Sequence, residues 1–342
     1  MNDHAGPKGR IPVRQPWLDL VTEEALLPDV PIIDPHHHLW DRPRARYLLD
    51  EFRADLACGH RIEATVHVEA GTMHRATGPA QLRPVGETEF AAGMAAISDT
   101  GLYGPTRICA GIVGFADLRL ANVAETLDAH IQAAGGRFRG IRQSALHDAE
   151  MLALMPASQA QRGLLADTAF RAGFACLAPR RLSFDSWTYA DQLNEVADLA
   201  GAFPDTTIIV NHLGGILAVE SRRSRLPEVR QAWEAAITRL AVHNNVVLKL
   251  GGLGMWMTGS RFHMSAFPPS SSSLAESWRP WIETAIEVFG PGRCMFESNF
   301  PVDKGSFAYG VFWNACKRML QAASEDEVVL MLGGTARRIY RL

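Results

Sequence analysis

Residues 31–42 read PIIDPHHHLWDR, a short apolar run that breaks into three consecutive histidines. An extended strand sends successive side chains to opposite faces, so His36 and His38 point one way and His37 the other. Two imidazoles aimed together from one strand end suit a metal or the grip of an anionic substrate. Asp34, two residues earlier on that face, is placed to orient a histidine or to stabilise the barrel mouth as a supporting carboxylate. A mere polar turn accounts poorly for histidines three deep.

The same grammar recurs along the chain. After Ile32–Ile33, strand-like runs follow in IEATVHVEA from Ile62, RICAGIVGFADL from Arg107, FRGIRQS from Phe138 and GFACLA from Gly173. TTIIVNHLGG from Thr206, NVVLKLGGLG from Asn245 and CMFESNFP from Cys294 complete a set of eight. Between them lie stretches with apolar residues three and four apart, such as ANVAETLDAHIQAAG and LPEVRQAWEAAITRLAVH, which predict helices. SEDEVVLMLGGTARRIYRL begins with Ser324 and Glu327 at the spacing of a capping box. Runs continuous in Val, Ile and Leu predict a parallel sheet covered by helices. Eight such units predict an α/β chain built as a single (β/α)8 TIM barrel over residues 31–342, behind a lead-in of residues 1–30 rich in Pro, Gly and charge. GGLG at 251–254 follows a strand but lacks the spacing of a nucleotide loop. The polar stretches 73–89, 178–188 and 258–277 are expected as extended loops on the C-terminal face, where they shape a pocket.

Composition narrows the function. The 342 residues are 47% apolar and 21% charged with a formal charge of -3, enough to bury a large core and too balanced for a nucleic-acid surface. Five scattered cysteines without a CxxC pair argue against a zinc ribbon or a disulfide framework. No stretch reaches membrane-span length, and MNDHAGPKGR does not read as a secretory signal. The expectation is a cytoplasmic protein acting on a small molecule, with no nucleic-acid or membrane partner and a homodimer as the default assembly.

Polar residues then collect at the C-terminal ends of different strands. Glu69 ends the second run, with His67 two residues earlier and on the same face. Arg142 ends the fourth, His212 the sixth, and Lys249 sits in the seventh. Glu297, Asn299 and Asp303 cluster around the eighth, and Trp40 and Trp256 are placed to wall a pocket. Polar side chains gathered from several strand ends mark a barrel active site, because burying them idle is costly. His130 and His243, in or after helical stretches, read as surface residues; His147 has no clear face, and His4 belongs to the tail.

IIDPHHHLWD, HVEAG, FRGIRQS, VNHLGG, VVLKLGGLGM and MFESNFPVD, in that order over residues 31–342, resemble the amidohydrolase-related family 2. Within it they resemble the branch that includes sugar-acid lactonases and the 2-pyrone-4,6-dicarboxylate lactonase. The resemblance implies a single barrel and a hydrolase. It matches His36 and His38 to an HxH pair, His212 to the histidine before the glycines, and Arg142 to a contact for a substrate anion. Where the family carries its catalytic aspartate in a G-S-D-x-P pattern, this chain reads Glu297-Ser298-Asn299-Phe300-Pro301. An amide cannot serve as a base, so Glu297 or Asp303 is expected to supply the missing charge and activate the water, or a bound divalent metal to activate it instead. The histidine that related decarboxylases carry on the fifth strand is absent from FACLA.

The expected reaction is hydrolysis of a small, carboxylate-bearing lactone or related cyclic ester, an amidohydrolase-superfamily activity of the carboxylic-ester class. His36, His38, His212, Glu297, Asn299 and Asp303 form the catalytic set; Trp40, Glu69, Arg142 and Lys249 bind substrate. His36, His38 and His212 hold one divalent metal ion, zinc first, or the site works without metal; the sequence leaves both open. A metal-dependent decarboxylase of an aromatic or unsaturated acid is the alternative chemistry, and a non-catalytic barrel with a degraded site the alternative class.

Overall fold

The computed structural model describes residues 9–43, 45–155, 157 and 159–342. The first eight residues of the lead-in, His4 among them, lie outside the described residues. Eight parallel strands hydrogen-bond in chain order: β1 Ile32–His37, β2 Ile62–Val68, β3 Arg107–Gly114, β4 Phe138–Ser144, β5 Ser183–Trp187, β6 Ile208–Val210, β7 Val246–Leu250 and β8 Cys294–Phe296. The ring closes where His37 bridges Phe300; there the His38 N–H donates to the Phe300 carbonyl at 2.8 Å and the Asn299 N–H to the His36 carbonyl at 3.0 Å. The fold is a (β/α)8 barrel.

Strand alternation sorts the core into two layers. Ile33, Val66, Ile209, Val247 and Met295 pack together inside the barrel, where Tyr340 of the C-terminal helix joins them. Ile32, Phe184, Ile208, Leu248 and Phe296 face outward into a much larger cluster beneath the helices. β1, β2, β3, β6, β7 and β8 contribute side chains to both layers, which explains their continuous apolar runs.

Three expectations about elements are corrected. GFACLA is not the fifth strand: Thr168–Phe174 is a helix started by Asp167, whose side chain accepts from the Phe170 N–H, and its last turn runs into GFACLA. The fifth strand is SFDSW, Ser183–Trp187, inside the stretch expected as a loop. The stretch 73–89 becomes helical from Val85, and 258–277 from Ser271, where Ser270 caps the first turn. The capping box at Ser324 and Glu327 forms as expected. All five cysteines are free, and no helix among the described residues is long and apolar enough to cross a membrane.

Candidate active site

Inward-facing polar residues occupy the upper end of the barrel. β8 continues the alternation past Met295, so Glu297 points inward. Its Oε1 accepts from His212 twice, from the backbone N–H at 2.8 Å and from Nδ1–H at 2.7 Å. Its Oε2 lies 2.6 Å from His36 Nδ1, and among the described residues this buried oxygen accepts no hydrogen bond.

His212 reaches the site against the parity of its strand. Ile208 and Val210 face outward, and simple alternation would send residue 212 after them. Left-handed backbone at His212 (φ 56°) and Leu213 (φ 53°) turns the ring inward, a conformation that costs on the order of 1–3 kcal/mol for side-chain-bearing residues. The glycines after β7 make the room. A Cβ on Gly252 would stand 2.6 Å from His212 Cβ, and one on Gly251 would stand 2.5 Å from Glu297 Cγ. GGLG is thus the clearance for a histidine and a glutamate.

His36 and His38 share a face as expected, with ring centroids 4.9 Å apart, and His36 lies 4.6 Å from His212. His37 turns away to Thr65 Oγ1, 2.9 Å from its Nε2, and packs on Phe52. The His38 Nδ1 lies 2.7 Å from the Val68 carbonyl. A carbonyl only accepts, so Nδ1 carries the proton and Nε2 the lone pair. The Glu297 carboxylate imposes the same tautomer on His212, whose Nε2 makes no hydrogen bond among the described residues.

His36 stands between two cations. The Arg142 Nη1 lies 3.3 Å from its Nε2, and the Lys249 Nζ 3.3 Å from its Nδ1. A neutral imidazole has one lone pair, so it satisfies one of them at a time. Burial first, then the Lys249 charge, holds the His36 pKa well below the ordinary histidine value. Burial also lowers His38 and His212, Glu297 partly opposing it at His212. For Glu297 burial acts upward but is outweighed by His212 and Lys249, so the carboxylate stays ionised. The state at neutral pH is three neutral imidazoles around one carboxylate.

The other expected residues fall into place unevenly. Arg142 donates from Nε to Glu69 Oε1 at 2.7 Å and from Nη2 to the Glu69 carbonyl, so Glu69 holds the guanidinium beside His36. Lys249 is fully buried beneath the histidines and donates to Asp185 Oδ1 at 2.8 Å. Tyr340 O–H and Asn211 Nδ2 donate to the same oxygen. Asn299 and Asp303 bond to each other, Nδ2 to Oδ1 at 3.0 Å, and Asp303 Oδ2 accepts from the Gly254 N–H. Among the described residues neither side chain hydrogen-bonds a histidine ring. Trp40 stacks on His38 at 5.8 Å, and Trp187 meets the His212 ring edge-on at 4.7 Å.

Asp34 does not share the face of His36. A register shift in β1 separates them, and its carboxylate instead ties strands together, accepting from Ser298 Oγ at 2.6 Å and Tyr309 O–H at 2.9 Å. His67 parts from Glu69 likewise, lying 3.6 Å from Glu87 behind the sheet. His130, expected at the surface, is buried and bonded to Thr88 and to the Phe115 carbonyl. Asp185 escaped the sequence reading. Its only signal was an acidic residue directly after the outward-facing Phe184 in LSFDSW, hidden once GFACLA took the fifth-strand place.

A family model described as amidohydrolase matches residues 33–342. The chain belongs to the amidohydrolase family. A relative from Sinorhizobium fredii, y4mH, is 35% identical over 339 residues, which is 92% of this chain and 99% of that protein. An L-fucono-1,5-lactonase of Burkholderia multivorans is 27% identical over 237 residues, 68% of this chain and 72% of its own. The solved structure of a B. multivorans amidohydrolase with bound zinc superposes with a TM-score of 0.70 at 24% identity, covering 91% of this chain and 99% of that one. That last likeness is one of fold.

The residues of this amidohydrolase also fit a metal. His36, His212 and Glu297 present ligand atoms within 4.8 Å of one another. Two neutral imidazoles and an ionised carboxylate, one oxygen of it without a hydrogen bond, are a donor set suited to a divalent cation such as zinc.

Proposed function

We propose that the chain hydrolyses a small, carboxylate-bearing lactone or related cyclic ester, with His212 as the base. The observation that carries this is the Glu297–His212 pair: the carboxylate takes the Nδ1 proton at 2.7 Å and leaves the Nε2 lone pair for water. That arrangement orients an imidazole and stabilises the imidazolium that forms. Water loses a proton to Nε2 as its oxygen adds to the lactone carbonyl. The negative charge that develops on the carbonyl oxygen is stabilised by the cations fixed around His36, Arg142 foremost. When the ring C–O bond breaks, the alkoxide takes the proton back from His212. A divalent ion held by His36, His212 and Glu297 would occupy the His212 lone pair in place of the water, and would itself polarise the carbonyl and acidify the water.

The kinship to an L-fucono-1,5-lactonase supports a lactone as substrate. So does the chemistry: a ring alkoxide departs with less help than an amine, and among the described residues no second acid bonds to His36, His38 or His212. Asp303, the other acid considered at sequence level, is committed to the Gly254 N–H and Asn299. The test is a panel of sugar-acid lactones and pyrone dicarboxylates followed by pH-stat, with and without chelator, on the wild type and on His212→Asn and Glu297→Gln. Acid release abolished in His212→Asn and cut at least a hundredfold in Glu297→Gln is expected. No acid from any lactone, together with CO2 from an aromatic acid, overturns the reading in favour of decarboxylation.

A further inference from the structure

The residues that would do this chemistry are sealed. His36 and Glu297 are 0% exposed, His38 3%, His212 4% and Trp40 4%. A substrate reaches them only if something above them moves, and the segment before β1 lies there. Gly9, with φ 73°, passes so close to the β4 and β7 loops that a Cβ on it would stand 2.6 Å from both Met155 Sδ and Trp256 Nε1. Both side chains belong to an apolar cluster at the barrel mouth that includes Trp187, the neighbour of His212. The Arg10 guanidinium lies 4.8 Å from the centre of the Trp40 ring in the β1 loop. Ile11 meets Gly305 in the β8 loop, whose Cβ would stand 2.7 Å from the Ile11 Cβ. Three consecutive residues thus touch loops that follow strands on opposite sides of the ring, which requires the segment to cross the mouth. Beyond them Arg14 donates to the His263 carbonyl, and Trp17 and Leu18 are buried as an anchor.

We propose that residues 9–14 are the roof of the substrate site, and that Arg10 on this roof, together with Arg42, holds the carboxylate of the bound substrate. The proposal rests on the reading of a carboxylate-bearing substrate and names what recognises that group. Arg142 is already held by Glu69 through its carboxylate and its carbonyl. Arg42 lies 4.5 Å from the same Trp40 ring, and its guanidinium donates to the Ala70 carbonyl. Two guanidinium groups therefore flank the ring that stacks on His38, above the reacting atoms. A carboxylate offers each guanidinium a charged, bidentate contact that the face of an indole does not. A neutral ring of the same size gains nothing from either arginine.

The test reads accessibility, without turnover. Full-length chain, a chain beginning at Gln15, and Gly9→Val are treated with diethyl pyrocarbonate, and acylation is mapped by mass spectrometry. His130, buried in the helix layer, reports on the integrity of the fold. Both variants are expected to acylate His38 and His212 at least tenfold faster than the wild type while His130 stays protected. If the truncated chain exposes His130, Gly9→Val alone decides. Unchanged rates at His38 and His212 overturn the roof. Gluconate, a sugar-acid anion, should slow acylation of His38 in the wild type, and neutral glucitol should not. In Arg10→Ala the gluconate effect should fall about tenfold in apparent affinity; equal protection by gluconate in both proteins overturns the role of Arg10. A chain that opens no lactone but shows this pattern keeps the roof and loses only the lactonase reading.

Discussion

Lys249→Met probes the floor of the site, and its cost can be worked from the contacts. Lys249 and Asp185 are both 0% exposed and 2.8 Å apart. Removing one member of a buried ion pair costs about 3–5 kcal/mol, because the other charge is left in a medium that solvates it poorly. Asp185 keeps two donors on Oδ1, Tyr340 O–H at 2.8 Å and Asn211 Nδ2 at 3.2 Å, while Oδ2 has no hydrogen-bond partner among the described residues. The retained bonds place the loss near the lower end, about 3 kcal/mol. In urea, with an m-value of about 3 kcal/mol/M, the unfolding midpoint should fall by about 1 M. Lys249→Met/Asp185→Asn removes both charges and should recover at least half of the loss, so the coupling is at least about 1.5 kcal/mol, enlarged by whatever Asp185→Asn costs alone. Urea curves followed by circular dichroism and tryptophan fluorescence supply all four corners of the cycle. A single variant within about 0.5 kcal/mol of the wild type, or a double variant at the sum of the singles, would show that the two charges do not depend on each other.

Three further outcomes are expected. Gly252→Ala places a Cβ 2.6 Å from His212 Cβ at φ 70°; turnover should fall about a hundredfold from misplacement of the base, and unchanged turnover would separate His212 from catalysis. Burial pushes the Asp303 carboxyl up to about 8 against the Gly254 and Asn299 donors. The folded state then keeps a proton that the unfolded chain releases near pH 4, so this stability is present below about pH 4 and lost as pH rises through about 8; Asp303→Asn should flatten the decline in urea midpoint between pH 5 and 8, and an identical slope would refute it. Zinc at about 100 times its dissociation constant should stabilise the wild type by about 2.7 kcal/mol in a thermal-shift or urea assay, and Glu297→Gln should weaken binding at least tenfold by calorimetry; undiminished affinity would remove Glu297 from the ligand set.

Much of the barrel was legible because its strands are buried on both faces, and such strands announce themselves as apolar runs. β5 was the exception. SFDSW has two aromatic residues, Phe184 and Trp187, separated by polar ones, and its inward Asp185 pairs with Lys249 rather than joining the core. A helix C-terminus, GFACLA, carried the stronger apolar signal. The candidate site was legible where strand parity holds, at His36, His38, Glu297 and Arg142. It was not legible for Asp34, which a register shift removes from the face of His36.

Local chemistry along the chain was enough to determine the parallel barrel and the histidine pair on β1, because each depends on residue type and a period of two; it left the acidic charge missing at residue 299 open between Glu297 and Asp303. Only the tertiary structure decided which groups meet. His212 enters the site through left-handed backbone that alternation forbids, and glycines forty residues away clear its path. Asp303 and Lys249, both plausible as working residues from their positions, are committed to Gly254 and Asp185 by contacts between separate strand ends. Sequence period states which side of a strand a residue occupies; a hydrogen bond or an ion pair depends on a second residue, brought within 3 Å only when the ring of strands closes.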